Sequence, residues 1–275
     1  MIVKDVILPY RTSSPKFKLY AISDIHAGTI HCVEEEIKEK VAEVAKEKNA
    51  YWIGVGDYGE FITPHDKRFD PSQKSIASWI KTDDIASCQE KWICELFDPI
   101  KKKCIGLLYG NHEDNIRKFN NTNVQQHICD GLGVDNLGYS CFVRLFFRRE
   151  NSNESHIIRC AFTHGSGWAI TKGAKLNKLR QFMNDFDARI YGYAHMHDII
   201  TDSKPYMTLS NSSFGQAKIK SAKAVGAVTG SWFRTYTQGV VASYGETRAY
   251  PPTTIGCVVY EIDVAKDEII VRESV

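Results

Sequence analysis

The chain has 275 residues, of which 43% are hydrophobic, enough for a sizeable core in one large domain or two small ones. Its 35 basic and 33 acidic residues give a formal charge of +2, so the overall basic character of a dedicated nucleic-acid-binding domain is absent, although such binding is not excluded. Two local basic groups are either solvated faces or the lining of a groove for phosphates. They are Arg144, Arg148, Arg149 and Arg159, and Lys172, Lys175, Lys178 and Arg180.

The cysteines and the apolar runs bear on the location of the protein. The 8 cysteines include no C-x-x-C pair, and several lie in apolar stretches, which is typical of reduced, buried thiols. The apolar run at the N-terminus is too short for a signal peptide, and no segment approaches the roughly 18 apolar residues of a membrane span. We therefore expect a cytoplasmic, reducing location and no membrane partner.

The first half of the chain alternates predicted strands and helices. Apolar runs ending in polar residues predict strands at 16–22, 51–55 and 104–109, and apolar residues at helical spacing predict helices at about 33–48 and 85–100. Thr82 or Asp83 is the expected cap of the second helix. The polar stretch from Glu60 to Lys81 is an insertion that we expect to be a loop.

The second half is richer in strands. The pattern predicts a short helical region ending near Gly131, strands at about 139–147, 156–163 and 188–193, and a helix through Leu176 and Phe186. A hairpin is expected at 257–264 and 268–272. Nothing in the sequence requires a second domain, so we expect one domain over 1–275. Its motif core spans about 17–200, and 201–275 completes a second sheet. Alternating strands and helices indicate an α/β layered fold.

Polar residues capable of binding a metal follow five of the predicted strands. In layered α/β folds, ligands gather at the carboxyl ends of strands. Carboxylates mixed with imidazoles suit Mn, Fe, Zn or Ni better than a purely oxygen-liganded Ca or Mg site. In an extended segment, the two residues of Asp-x-His or His-x-His point the same way and can grip one ion or two neighbouring ions. The residues are Asp24, His26, Asp57, Asn111, His112, His164, His195 and His197.

Each of these motifs also has a structural explanation when it is taken alone. Gly-Asp after a strand is often a turn, and Asn111 could cap a helix by accepting free backbone N–H groups. A single histidine such as His164 is more often a core or surface residue. The five motifs in this order, each at a strand end, favour a shared metal site.

The order Asp-x-His, Gly-Asp, Gly-Asn-His-Glu, His and His-x-His resembles the calcineurin-like metallophosphoesterase superfamily, over about Leu19 to His197. The resemblance implies a four-layer sandwich of two mixed β-sheets flanked by helices, with a dinuclear metal site at the strand carboxyl ends. It implies two divalent ions, with Mn expected first. One ion would be held by Asp24, His26, Asp57 and His197, and the other by Asp57, Asn111, His164 and His195.

The same resemblance assigns His112 a catalytic role, as the donor of a proton to the leaving oxygen or as a stabiliser of phosphoryl charge. Glu113 either orients His112 or faces solvent. The sequence departs from the family pattern at Glu60, where a second aspartate is usual, and at Ala194, where a glycine is usual. Alanine is excluded at 194 only if that position needs φ > 0.

The expected chemistry is hydrolysis of a phosphoester by a metal-bridging hydroxide. Two cations lower the pKa of a bridging water and clamp the phosphate, and a positioned acid such as His112 contributes on the order of 100-fold to 10,000-fold. A different hypothesis is that the protein keeps this fold as a catalytically inactive scaffold. It is disfavoured because a binding module has no need of all seven candidate ligands and His112.

Two substrate classes remain open. A phosphodiesterase or nuclease acting on nucleic acid, similar to phage-type or DNA-repair-nuclease members of the family, is suggested by the basic groups and by aromatic residues that could stack on bases. The alternative is a small nucleotide or phosphomonoester, with the insertion covering the pocket. The aromatic residues are Tyr58, Phe61, Trp168, Trp232 and Tyr236, and the insertion carries His65, Lys67 and Arg68. His31, five residues after His26, either approaches the site or is a surface residue at a helix entry, and the second interpretation is favoured. The oligomeric state is open.

Overall fold

The computed structural model describes residues 1–64, 66, 68–69, 72–167, 169–210 and 213–275. Three residues that the sequence singles out, His65, Lys67 and Trp168, lie outside the described residues.

Twelve strands form the framework of the described chain, and they alternate with helices in its first half. The strands are β1 (Ile2–Tyr10), β2 (Lys16–Ile22), β3 (Ala50–Val55), β4 (Cys104–Leu108), β5 (Asn136–Gly138), β6 (Ser140–Arg149), β7 (Ser155–Thr163), β8 (Ile190–Tyr193), β9 (Ile199–Leu209), β10 (Ile219–Thr229), β11 (Cys257–Asp263) and β12 (Glu268–Ser274). The helices are α1 (Glu34–Lys46), α2 (Ile85–Phe97), α3 (Asn111–Asn120), α4 (Val124–Leu132), α5 (Lys172–Asp185) and α6 (Tyr244–Thr247), with a 3₁₀ helix at Asp98–Lys103.

The strands form two mixed sheets of six strands each. The first sheet has the order β1-β6-β7-β8-β10-β9 and the second has the order β12-β11-β2-β3-β4-β5. In the second sheet, β2, β3, β4 and β5 run parallel, and β11 joins β2 antiparallel. The part of the chain after residue 201 supplies strands to both sheets.

The core lies in three apolar layers. The largest fills the space between the two sheets and includes Leu19 and Val55 of the second sheet and Phe162 of the first. A second layer packs α1, α2 and α4 onto the outer face of the second sheet, and a third packs α5 onto the first sheet. Helices therefore flank two mixed sheets, and the predicted fold class is confirmed.

Two local expectations differ from the structure. β1 was not predicted, because it is an edge strand whose outward side chains are exposed and whose parallel partner β6 lies far along the chain. The N-cap position of α2 is Asp84, and not Thr82 or Asp83, and the Asp84 side chain makes no capping hydrogen bond. Residues 81–84 form a turn that delays the helix, with the Asp84 N–H donating to the Lys81 carbonyl at 2.9 Å.

The cysteines are unpaired thiols. All eight are free, and four of them are buried. Burial raises the pKa of the Cys129, Cys141 and Cys257 thiols to about 12. Separately, no helix among the described residues is long and apolar enough to cross a membrane.

Asp267 in the β11–β12 turn ties the second sheet to the first. Its carboxylate pairs with Arg189, just before β8, and lies 3.3 Å from Lys220 Nζ on β10. Burial acts to raise the pKa of Asp267, but the hydrogen bonds from Arg189 and Lys220, together with the positive charges of Arg189 and His156, outweigh it and hold the pKa below its usual range. The pair therefore stabilises the fold above about pH 4, where an unfolded aspartate is ionised, and this contribution is lost as the pH falls through the lower folded pKa.

We expect Asp267→Asn to lower the free energy of unfolding by about 1 kcal/mol at pH 7, a modest value because the carboxylate is partly exposed to water. Asparagine tolerates the left-handed backbone here (φ 54°), so the substitution mainly removes charge. Urea unfolding at pH 7 and at pH 3 measures the effect. The difference in the free energy of unfolding between the variant and the wild type should be smaller at pH 3 than at pH 7. An equal difference at both pH values would show that the ionised carboxylate of Asp267 is not what stabilises the fold.

Candidate metal centre

The seven predicted ligands meet where strands of both sheets end. The strands β2, β3 and β4 are parallel, as are β7 and β8, so each set delivers its carboxyl ends to one edge. The backbone N–H of His195, from the first sheet, donates to Asp24 Oδ2, from the second, at 3.1 Å. The ligands follow β2 (Asp24, His26), β3 (Asp57), β4 (Asn111), β7 (His164) and β8 (His195, His197).

One group of donors consists of Asp24, His26 and His197. One ligand atom from each lies within 4.8 Å of the others. The Nε2 atoms of His26 and His197 are 3.0 Å apart, and His197 Nε2 lies 3.2 Å from Asp24 Oδ1. This is the set that the sequence assigned to one ion, apart from the shared Asp57.

The second group consists of Asp57, His164 and His195, again within 4.8 Å of one another. His164 Nε2 lies 3.2 Å from Asp57 Oδ2 and 3.2 Å from Asn111 Oδ1. The amide oxygen of Asn111 therefore belongs to the same cluster. Asn111 is the first residue of α3, and its side chain faces the cluster instead of capping the helix.

The backbone at these ligands is unusual, because five of the seven have left-handed φ angles. Each such residue costs on the order of 1 to 2 kcal/mol unless the surroundings require it. The two outer residues of Asp-x-His and of His-x-His therefore converge because their backbone is left-handed, and not because they lie in an extended segment as the sequence predicts. Ala194 is outside the left-handed group, so alanine is compatible with its position. The five angles are 51° at Asp24, 52° at His26, 54° at Asp57, 70° at His195 and 46° at His197.

Hydrogen bonds outside the cluster orient two of the imidazoles. His164 donates from Nδ1 to the Val55 carbonyl at 2.7 Å, and a carbonyl can only accept. His26 Nδ1 contacts Glu60 Oε2 at 2.7 Å. In the neutral form of each ring, the lone pair is then on Nε2 and faces the cluster, as a metal ligand requires.

The donor set fits bound cations. Asp24 Oδ1 and His195 Nδ1 are buried with no hydrogen bond to any described residue, because the 3.2 Å contact of Asp24 Oδ1 with His197 Nε2 lacks hydrogen-bond geometry. Asp24 and Asp57 are both at most 1% exposed. Burial alone would lower the pKa of His26 and of His164, but the neighbouring carboxylates raise each to about 9. Buried carboxylates that draw protons onto their neighbours need positive charge, which divalent ions would supply in place of those protons.

Glu60 connects His26 to His112 and was not predicted to do so. His112 Nδ1 donates to the backbone carbonyl of Glu60, and His112 Nε2 lies 3.2 Å from Arg68 Nη1. Burial lowers the pKa of His112 below its usual value. In the neutral ring, the proton therefore points away from Arg68, and Nε2 accepts from the guanidinium.

Glu113 neither orients His112 nor faces solvent, so both expectations for it are wrong. It is 1% exposed, and its carboxylate accepts from the backbone N–H groups of Asp57 (2.9 Å), Tyr58 (2.8 Å) and Gly110 (2.8 Å). Although His112 is adjacent to Glu113 in the sequence, the first turn of α3 directs the Glu113 side chain away from it and towards the end of β3. Glu113 thus joins the segments that carry Asp57 and Asn111.

We expect Glu113→Gln to destabilise the fold by about 2 kcal/mol, because its amide NH₂ must face at least one backbone donor. Affinity for Mn²⁺ should fall by about 10- to 100-fold, as when an outer-shell partner is lost. Thermal melting and calorimetric Mn²⁺ titration measure the two effects. Glu95→Gln, at an exposed glutamate on α2, is the control. If the two variants have the same melting temperature and the same Mn²⁺ affinity, Glu113 does not support the segments that carry Asp57 and Asn111.

Two glycines allow the β3 and β4 ends to approach closely. A Cβ at Gly56 would lie 2.6 Å from the Gly110 nitrogen and 2.7 Å from His164 Nδ1. A Cβ at Gly110 would lie 2.1 Å from Asp57 Oδ1. The glycines of the Gly-Asp and Gly-Asn-His-Glu motifs therefore make room for ligands.

Most aromatic residues suggested for base stacking lie in the core. Tyr58, Phe61 and Trp232 are at most 2% exposed, whereas Tyr236 is at the surface. No local pattern in the sequence points to Phe233, whose ring lies 5.3 Å from that of His26. This position follows from the path of the chain after β10.

His31 is buried at 3% exposure, so its assignment as a surface residue is wrong. Its ring lies 5.6 Å from that of Phe233, and its Nδ1 lies 3.1 Å from Thr237 Oγ1. The segment 230–256, which we call the C-terminal strap, folds back over the α1 entry and covers His31.

The ligands open into a cavity of about 960 Å³, within the usual range for small-molecule sites. The insertion contributes Arg68 and Phe69 to its wall, and the C-terminal strap contributes Phe233, Tyr244 and Tyr250. The cavity thus has a polar floor at the candidate metal centre and aromatic residues on its sides.

The basic groups named from the sequence are largely engaged with carboxylates. Arg144 pairs with Asp5, Arg149 with Glu154, Arg159 with Asp187, Lys175 with Asp198 and Arg180 with Asp202. These contacts weaken the argument for a continuous phosphate-binding groove, because each positive charge has a nearby counter-charge.

No family model and no curated protein matches the chain. Solved structures with a similar fold include Vps29 of Chaetomium thermophilum (10% identity, TM-score 0.38, covering 94% of this chain and 97% of that chain). They also include a metallophosphoesterase from Sphaerobacter thermophilus (12%, 0.38, 94% and 88%) and the NAD nucleotidase of Haemophilus influenzae (8%, 0.41, 96% and 50%).

The sheet order and the ligand positions of this chain define the class independently of these low similarities: a two-sheet α/β fold with a candidate dinuclear centre at the strand ends.

Proposed function

We propose that the protein is a metal-dependent phosphoesterase with two divalent ions at the candidate metal centre. The observation that carries the proposal is the convergence of two His and Asp groups, in which Asp24 Oδ1 and His195 Nδ1 are buried and hydrogen-bond to no residue in the described part of the chain. Mixed nitrogen and oxygen donors favour Mn, Fe, Zn or Ni, and we propose Mn first.

The seven candidate ligands would be divided between the two ions. Asp24, His26 and His197 would hold one ion, Asn111, His164 and His195 the other, and Asp57 would contribute to both. When bound, the ions supply Lewis acidity to the phosphate and to a nucleophilic water. His112 remains the proposed catalytic histidine of this site.

A small nucleotide or phosphomonoester is the substrate class that the cavity supports best. The insertion and the C-terminal strap border the cavity on its sides, and the basic groups elsewhere are paired with carboxylates. A nuclease is the second candidate, because Phe233, Tyr244 and Tyr250 offer rings on which a base can stack.

The test combines metal binding with turnover. Metal-free protein should bind two Mn²⁺ by calorimetry, and the loaded protein should hydrolyse p-nitrophenyl phosphate or bis-(p-nitrophenyl) phosphate. A panel of nucleotides, cyclic nucleotides, single-stranded DNA, duplex DNA and RNA then separates the substrate classes. Absence of both Mn²⁺ binding and turnover would refute the proposal, and activity confined to polymers would replace the small substrate with nucleic acid.

A further inference from the structure

Arg68 is a positive charge fixed in the cavity wall beside the candidate metal centre. Its Nη2 donates to Asp66 Oδ2 at 2.7 Å, and its Nε lies 3.1 Å from Asp66 Oδ1. Its side chain is 25% exposed. Two adjacent contacts to one carboxylate hold the plane of the guanidinium, so Arg68 is not a freely mobile surface residue.

The third contact directs the guanidinium towards the ligands. Nη1 lies 3.2 Å from His112 Nε2, and His112 directly follows Asn111. Because His112 donates from Nδ1 to the Glu60 carbonyl, its Nε2 is free to accept from Arg68. The contact with His112 therefore helps to hold Arg68 beside the candidate ligands.

The guanidinium retains capacity for a ligand. It has five N–H groups, and its contacts with the described residues use three of them: one each on Nε, Nη1 and Nη2. Arginine stays ionised at any working pH, and its planar donors match the oxygens of a phosphate. An anion at the candidate metal centre would meet these donors at the cavity wall.

Other cations in the cavity wall are placed differently. Lys175 is 5% exposed, with its Nζ 3.1 Å from Asp198 Oδ2. Arg248 lies over the ring of Tyr244, 4.8 Å from its centroid, on the C-terminal strap. Arg68 alone among these three contacts a residue of the Asn111–His112 segment.

We propose that Arg68 binds a non-bridging oxygen of the substrate's phosphoryl group, a role that rests on the proposed phosphoesterase function. The insertion 60–81 thereby supplies a specificity-determining residue to the site. The ligand class is a phosphoryl anion, and a terminal phosphate, with its greater charge, benefits more from an added cation than a diester does.

The experiment measures binding of inorganic phosphate to the Mn²⁺-loaded protein by calorimetry, alongside hydrolysis of p-nitrophenyl phosphate and its bis ester. Arg68→Gln should weaken phosphate binding by about 10- to 100-fold, as expected for loss of charged hydrogen bonds. Arg68→Lys should lose less, because the charge remains without the planar donors. The monoester should lose more kcat/KM than the diester.

Arg180→Gln is the matched control, because Arg180 is also paired with an aspartate but lies on the exposed face of α5. It should bind phosphate within about twofold of the wild type, and all variants should keep two Mn²⁺ and similar melting temperatures. Asp66→Asn, which frees the guanidinium, should give an intermediate loss.

Unchanged phosphate affinity in both Arg68 variants, with wild-type turnover present, would overturn the role of Arg68 and leave the proposed function standing. Weakened phosphate binding in Arg68→Gln, in a protein that hydrolyses neither ester, would support the role of Arg68 as an anion contact and refute the enzymatic function.

Discussion

Asp57→Asn is expected to abolish binding of at least one Mn²⁺ and to lower kcat/KM by about 1000-fold or more. Asp57 is 1% exposed, its Oδ2 faces His164 and its Oδ1 accepts from the His112 N–H at 2.9 Å. Asparagine keeps the acceptor for His112 but removes the negative charge that is proposed to serve both ions. A fall in kcat/KM of about 1000-fold corresponds to the loss of about 4 kcal/mol of transition-state stabilisation by the metal ions.

Calorimetric Mn²⁺ titration and hydrolysis of bis-(p-nitrophenyl) phosphate measure the two consequences separately. Asp5→Asn is the control, because Asp5 is an exposed carboxylate paired with Arg144 on the first sheet. It should leave stoichiometry and turnover unchanged. Two tightly bound Mn²⁺ and normal turnover in Asp57→Asn would rule out a bridging role for this carboxylate.

Gly110→Ala should destabilise the protein by about 1 to 3 kcal/mol and displace Asp57. The added methyl carbon would lie 2.1 Å from Asp57 Oδ1 and 2.7 Å from the Asp57 nitrogen, and the backbone there cannot swing aside like a flexible side chain. For a chain of this size, the melting temperature should fall by roughly 2 to 10 °C. Mn²⁺ affinity should fall as well.

Gly173→Ala provides the matched comparison, since nothing lies within 4 Å of a Cβ at that position in α5. It should raise stability slightly, by about 0.5 to 1 kcal/mol, through the better helix propensity of alanine. If both alanine variants melt alike and bind Mn²⁺ equally, the close approach at Gly110 does not constrain the site.

The strand ends were accessible to sequence analysis because each buried strand is a short apolar run followed by a polar motif. Asp57 after 50–55 and His164 after 155–163 illustrate this, and the predicted segments agree with β3 and β7 within one residue. The N-terminal strand β1 was missed, because its pairing with β6 is a long-range contact that leaves little local pattern.

The side chains that support the ligands could not be predicted in the same way. The local sequence relates Glu113 either to its neighbour His112 or to solvent, whereas its partners are the backbone N–H groups of Asp57, Tyr58 and Gly110. His31 was assigned to the surface because nothing local indicates that the C-terminal strap covers it. Both errors arise from contacts between segments distant in sequence.

The amino-acid sequence by itself determined which residues stand at the strand ends, and therefore the candidate ligands and the α/β class, because these depend on local apolar periodicity and short motifs. Only the tertiary structure decided which atoms of those candidate ligands lie close together and which partners orient them. It also decided that the cavity includes Arg68 and Phe233. The physical reason is that imidazole orientation, left-handed backbone at the ligands and close approach at Gly56 and Gly110 are imposed when the two sheets pack together.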